Sequence, residues 1–98
     1  MKWTRHDDAE ETTVSIEGAL DVVSAPEVRP TFDAIVAEGR KRVVVDIAAV
    51  TLIDSPGVGT LVSLCKRIEA GGGRAVVKGA RDQPLTVLKL LKLDRLLA

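Results

Sequence analysis

A chain of 98 residues, 46% hydrophobic and 29% charged, has room for one domain with one modest core and is too apolar to remain disordered. Fourteen Lys/Arg balance fourteen Asp/Glu, and Trp3 and Phe32 are the only aromatics, which argues against a nucleic-acid binder built on a basic surface with aromatic platforms. One cysteine and one histidine supply neither an internal disulfide nor a zinc site, no apolar run reaches the ~20 residues of a membrane span, and Met1 is followed by no signal-peptide core, so a cytoplasmic protein without membrane insertion is expected.

Trp3 to His6 reads as a short strand, with Asp7 to Glu10 turning the chain into a second strand over Thr12 to Leu20. There Val14, Ile16, Gly18 and Leu20 alternate with Thr13, Ser15, Glu17 and Ala19, the period of a strand covered on one side. Ser24-Ala25-Pro26-Glu27 has the spacing of a capping box, and Val28, Phe32, Ile35 and Val36 continue it as an amphipathic helix ending at Gly39. Pro30 interrupts that helix, which predicts a kink or a start later than Ser24.

Val43 to Ile47 reads as a strand buried on both faces. Ser55 is placed as an N-cap and Pro56 as the first residue of a helix whose apolar stripe is Val58, Leu61, Val62, Cys65 and Ile68. Cys65 lies on that stripe and reads as a small core residue. Gly71-Gly72-Gly73 stops the helix, and Arg74 to Lys78 forms another strand. Asp82 or Gln83, with Pro84, opens a last helix that carries Leu85, Leu88 and Leu91 on one side, with Leu93, Leu96 and Leu97 continuing apolar beyond it. The order β-β-α-β-α-β-α over residues 1–98 predicts a single α/β domain: a mixed sheet of about four strands, opening with an antiparallel hairpin and continuing through right-handed crossovers.

Charge is unevenly placed along the chain. Residues 1–56 hold six Lys/Arg against eleven Asp/Glu, and residues 57–98 hold eight against three. Such asymmetry can steer two surfaces together, although solvated helix faces are the simpler account of it.

Catalysis finds little material. His6 has no sequence relation to Ser55, and a triad of Ser55, His6 and Asp46 or Asp54 would lack the Gly-x-Ser-x-Gly elbow that exposes a nucleophile. No His, Cys, Asp or Glu cluster has metal-ligand spacing, and the loop around Asp46 and Asp54 has no lysine or further carboxylates with which to hold Mg²⁺. The expectation is a non-enzyme with no metal and no cofactor. Gly57-Val58-Gly59 at a helix start offers a phosphate cradle, the basis of a phosphate- or nucleotide-binding alternative. A dinucleotide fingerprint would need a third glycine where Val62 stands and an acidic residue about 20 positions on, and neither is present. Gly57 and Gly59 read instead as points of close backbone approach, to a partner or to the sheet. On the first reading a bulky residue at Gly57 weakens partner binding more than folding, alanine there favours the helix by up to ~1 kcal/mol, and Ser55→Ala costs roughly 0.5 to 2 kcal/mol of capping.

Two segments carry a family resemblance. Asp54-Ser55-x-Gly57-Val58-Gly59 after an apolar strand, and Gly18-x-Leu20-Asp21 leading to Ser24-Ala25, resemble in order and separation the signature of the STAS domain, the fold of bacterial anti-sigma factor antagonists. The resemblance implies a partner-switching regulator of transcription that binds an anti-sigma factor or serine kinase of the histidine-kinase-like ATPase fold. By the same resemblance the docking surface comprises Asp21, Ser24, Asp54, Ser55, Pro56, Gly57, Val58 and Gly59. The family's phospho-acceptor serine or threonine follows Asp-Ser directly, and here that position is Pro56. Either Ser55 is phosphorylated instead, or the chain binds constitutively, or it belongs to a branch that uses the fold as a scaffold in a transporter or larger signalling complex.

Overall fold

A computed structural model describes residues 1–98. Four strands, β1 (Lys2–Asp7), β2 (Thr12–Leu20), β3 (Arg42–Ile53) and β4 (Arg74–Lys78), form one sheet in the order β1-β2-β3-β4. β1 and β2 are antiparallel, and β2, β3 and β4 are mutually parallel, so the sheet is mixed. Helices α1 (Ala25–Ala37) and α2 (Ser55–Ala70) make the two crossovers. Helix α3 (Asp82–Leu90) and a short 3₁₀ turn (Asp94–Leu96) follow β4. The expected element order and α/β class are those observed.

The core lies on one face of the sheet. Val14, Ile16 and Leu20 of β2, Val43, Val45, Ile47 and Ile53 of β3, and Ala75 and Val77 of β4 are buried against Val28, Phe32 and Ile35 of α1 and Leu61, Leu64, Cys65 and Ile68 of α2. Burial pushes the Cys65 thiol up to about 11, consistent with a packing role rather than a reactive one. On the opposite face Ser15, Glu17 and Lys78 are exposed while Val44, Asp46 and Val76 are half-buried. β3 is therefore covered on one side only, contrary to the reading of its valines as buried on both.

β3 also runs six residues past Ile47, where the sequence pattern gives no strand. Its pairing with β2 shifts register between Ser15 and Glu17 and again between Gly18 and Ala19. Each shift breaks the period-two pattern, so Ala48-Ala49-Val50-Thr51-Leu52 does not alternate although it is strand.

One helix start and one helix end also differ from expectation. Helix α1 begins at Ala25 and is continuous through Pro30. Pro26 and Pro30 are both exposed, so water can take the bond that Pro30 cannot donate to the carbonyl four residues back. No capping box forms with Glu27, because the Ser24 side chain makes no cap hydrogen bond and turns back to β2. In α3 the helix ends at Leu90, one residue before Leu91: the Lys92 and Leu93 amides donate to the Lys89 and Leu88 carbonyls, at 3.0 and 2.9 Å, and close it. Leu88 is buried and Leu85 half-buried, while Leu91 lies beyond the helix and is 51% exposed.

Candidate functional site

β2 and β3 end side by side at Leu20 and Ile53, and the chain leaves them into two helix starts, so the Asp21–Ser24 turn and the Asp54–Gly59 segment are neighbours. Asp54 joins them. Its backbone is extended, one carboxylate oxygen (Oδ1) accepts from the Gly57 amide at 2.9 Å, and the other (Oδ2) accepts from the Val22 amide at 3.0 Å. Asp54 is thus the N-cap of α2, and Ser55 and Pro56 are its first two residues. The expectation that Ser55 caps the helix is corrected by one position. Both residue types cap well, and the choice falls to the one that can also reach Val22 across the sheet end.

The consequence is measurable in thermal melts. Asp54→Ala is expected to cost about 2 kcal/mol, since it removes a cap and a second acceptor together, whereas Ser55→Ala should change stability by less than about 0.5 kcal/mol. The reverse ranking would reject Asp54 as the cap.

The second half of the site is tied equally closely. Asp21 Oδ1 accepts from the amides of Val23 (3.0 Å) and Ser24 (2.9 Å). The Ser24 hydroxyl accepts from the Asp21 amide at 2.9 Å and donates to the Ala19 carbonyl at 2.7 Å. The Ser24 amide, followed by the Val23 amide, holds the Asp21 carboxyl below the usual carboxylate range. A carboxyl lowered in the folded state contributes stability above its unfolded pKa and loses it as pH falls through the folded value. Stability followed by urea melts should therefore be level from pH 7 to about 5 and decline below about 4. Asp21→Asn should soften that decline, and an acid limb identical to the parent's would remove Asp21 from its cause.

Within this frame the expected site residues separate into surface and support. Ser55, Pro56 and Gly59 are exposed and Asp54 and Asp21 are half-buried. Ser24, Gly57 and Val58 are buried, so they hold the surface up rather than form it. A Cβ on Gly57 would lie 2.2 Å from the Leu20 carbonyl oxygen, while one on Gly59 would meet nothing within 4 Å. The close approach at Gly57 is to the sheet.

The phosphate-cradle reading loses its donors in this arrangement. The Gly57 amide is bound to Asp54 Oδ1, the Val58 amide is bound to the Asp54 carbonyl at 2.9 Å, and Pro56 has none. A carboxylate already occupies the positive end of α2. His6 pairs with Thr13 near the start of β2, seven residues from Leu20, or roughly 23 Å at ~3.3 Å per residue, so it and Ser55 share no site. Asp46 pairs with Ser15 and Lys78 in mid-sheet and is likewise separated from Asp54. No group of three or more His, Cys, Asp and Glu side chains is placed to hold a metal ion, and no helix is long and apolar enough to cross a membrane.

Two features were missed in the sequence. Val22 and Val23 project from the Asp21–Ser24 turn at 62% and 78% exposure, beside Asp54. Two β-branched apolar residues in a turn between capping residues are the signal that could have revealed them. Gln83, expected to help start α3, instead directs its side-chain amide at Ile53. Beyond Pro56 a groove of about 410 Å³ runs between α1 and α2, with Arg29, Gly59 and Ser63 in its lining and the Asp33–Arg67 ion pair (2.8 Å) across it. That pair joins the acidic and basic halves of the sequence, yet its exposure keeps its contribution below about 1 kcal/mol.

Comparison with known proteins gives the same fold and supplies a family. The STAS domain matches residues 2–98. An anti-sigma factor antagonist from Mycobacterium paratuberculosis superposes with a TM-score of 0.86 at 24% identity, covering 96% of this chain and 80% of that one. The Bacillus cell fate determinant SpoIIAA in its phosphorylated form gives 0.81 at 17% identity, covering 99% and 89%. A sulfate transporter family protein from Wolinella succinogenes gives 0.75 at 19% identity, covering 90% and 71%.

Proposed function

The chain belongs to the STAS domain family, and from that premise we propose that it is a non-enzymatic anti-sigma factor antagonist of the bacterial cytoplasm. It docks on a serine-kinase-type anti-sigma factor of the histidine-kinase-like ATPase fold and, in a partner-switching pathway, frees the sigma factor. The docking surface is Asp54, Ser55, Pro56 and Gly59 with Asp21, Val22 and Val23 of the neighbouring turn, resting on Ser24, Gly57 and Val58 beneath. The observation that carries the reading is the bridge from Asp54 to Val22, which fuses the two motif segments into one fixed patch with an exposed apolar pair at its edge.

Pro56 makes this a constitutive binder. It stands exposed at the second residue of α2, where the family resemblance places the phospho-acceptor, and it has no hydroxyl. The test is affinity capture with the tagged chain, identification of the captured proteins by mass spectrometry, and release assayed with and without ATP. Capture of a kinase-like ATPase whose release ignores ATP is the expected result. Stable copurification with a membrane transporter would favour a second reading, a scaffold subunit, which the likeness to the Wolinella succinogenes protein supports at the level of fold.

A further inference from the structure

β4 accompanies β3 only as far as Asp46, which pairs with Lys78, so the last seven residues of β3 have a strand neighbour on the β2 side alone. At Ile53 the missing neighbour is replaced by a side chain. Gln83 Oε1 accepts from the Ile53 amide at 2.9 Å, and Gln83 Nε2 donates to the Ile53 carbonyl at 2.9 Å. One carboxamide thereby satisfies both main-chain groups of the residue before Asp54, as an adjacent strand would.

The segment that carries Gln83 is built to deliver it. Asp82 adopts a left-handed backbone (φ 52°), and the α3 start has no side-chain cap. Arg81 Nε donates to the Ala48 carbonyl at 3.1 Å, a second tie from the same segment to β3, while Pro84 and Leu88 anchor the helix in the core. The strained backbone and the unused cap position fit a segment whose polar groups are committed to the strand end.

We propose that Gln83 is a positioning residue for the docking surface: by holding Ile53 from the side that β4 leaves open, it fixes where the next residue, Asp54, places its two carboxylate oxygens, and through them Val22 and the start of α2. The link is one residue of backbone from Gln83 to Asp54, then one hydrogen bond from Asp54 to each half of the patch. Its importance for binding rests on the docking function proposed above, but the geometric claim does not.

The test compares Gln83→Ala and Gln83→Glu with the parent by amide hydrogen exchange in the whole chain, with protection corrected for intrinsic exchange at each pH. At pH 7 the carboxylate introduced by Gln83→Glu can accept from the Ile53 amide but opposes its carbonyl. The Gly57 and Val22 amides should lose about tenfold in protection in both variants, relative to the Val14 and Val45 amides of the central sheet. At pH 5 the introduced carboxyl, its pKa raised by the facing carbonyl, regains a proton to donate, so protection should return in Gln83→Glu and not in Gln83→Ala. Loss confined to the Ile53 amide, equal loss at every amide, or absence of rescue by acid would each overturn the proposal. Binding of the captured ATPase, measured on the same three proteins, should weaken in step with Gly57 protection. A chain that captures no such partner while showing the exchange pattern would reject the docking function and leave Gln83 as the residue that positions Asp54.

Discussion

Gly57→Ala is expected to destabilise the domain by about 3 kcal/mol or more, and Gly59→Ala, two residues along the same helix, to stabilise it by up to about 1 kcal/mol. Helix propensity alone favours alanine at both positions, and the structure separates them. The added methyl at Gly57 would lie 2.2 Å from the Leu20 carbonyl oxygen and 3.0 Å from the Ile53 side chain. The first of these contacts is with backbone in the central strand pair, so relief requires moving α2 away from the sheet and breaking the Asp54 cap with it. At Gly59 the same methyl enters open space. Of a typical total of about 5 to 15 kcal/mol, a loss of about 3 kcal/mol is a large fraction, and a drop in melting temperature of about ten degrees or more should be plain by circular dichroism. A Gly57→Ala variant that melts with the parent would show that α2 does not sit this close to β2. The outcome also reassigns Gly57: its substitution should reduce binding because it reduces folding, whereas a larger residue at Gly59 should reduce binding at unchanged stability.

If the chain binds constitutively, as proposed, Pro56→Ser should convert it into a switch. Incubated with ATP and its kinase-like partner, the natural chain should gain no mass, and the variant should gain about 80 Da, one phosphate. The new phosphate would sit in the first turn of α2, where the helix dipole favours it by about 0.3 to 1 kcal/mol, so the modified protein stays folded. Its cost falls on the interface, where nearly two negative charges join Asp54 and Asp21 and must be stripped of water on docking. Affinity for the partner should fall about a hundredfold on modification. Intact-mass spectrometry beside a binding isotherm decides the matter. A phosphate on the natural chain would transfer the switch to Ser55, whose side chain is exposed one residue away, and end the constitutive reading.

Much of this architecture was legible because local chemistry and fold agree. The alternation of Val14, Ile16 and Leu20, the helical spacing of Leu61, Cys65 and Ile68, and the glycines after α2 each point to the element that forms, and the Asp-Ser-Pro-Gly turn marks the strand-to-helix junction of the candidate site. Departures occur where a distant residue decides. Ser55 and Asp54 are both good caps, and only the Val22 amide, 32 positions upstream, selects between them. Ser24 and Glu27 have capping-box spacing, but the Ala19 carbonyl claims the serine. The second half of β3 escaped because two register shifts against β2 remove the period by which strands are recognised. Gln83 escaped because a glutamine opening a helix carries no mark of the strand it will bond 30 positions away.

The register of β2 against β3 sets when, during folding, the surface exists at all. The two strands are separated in sequence by the whole α1 crossover, so their pairing closes a long loop, as that of β3 with β4 across α2 does and the hairpin of β1 with β2 does not. Asp54 reaches Val22 only at the far end of that ladder, after Leu20 has met Ile53. A half-folded chain, or one still emerging during synthesis with β3 unpaired, has α2 sequence but no patch to offer. The proposed docking surface is thereby complete only once β2 and β3 have paired along their whole length.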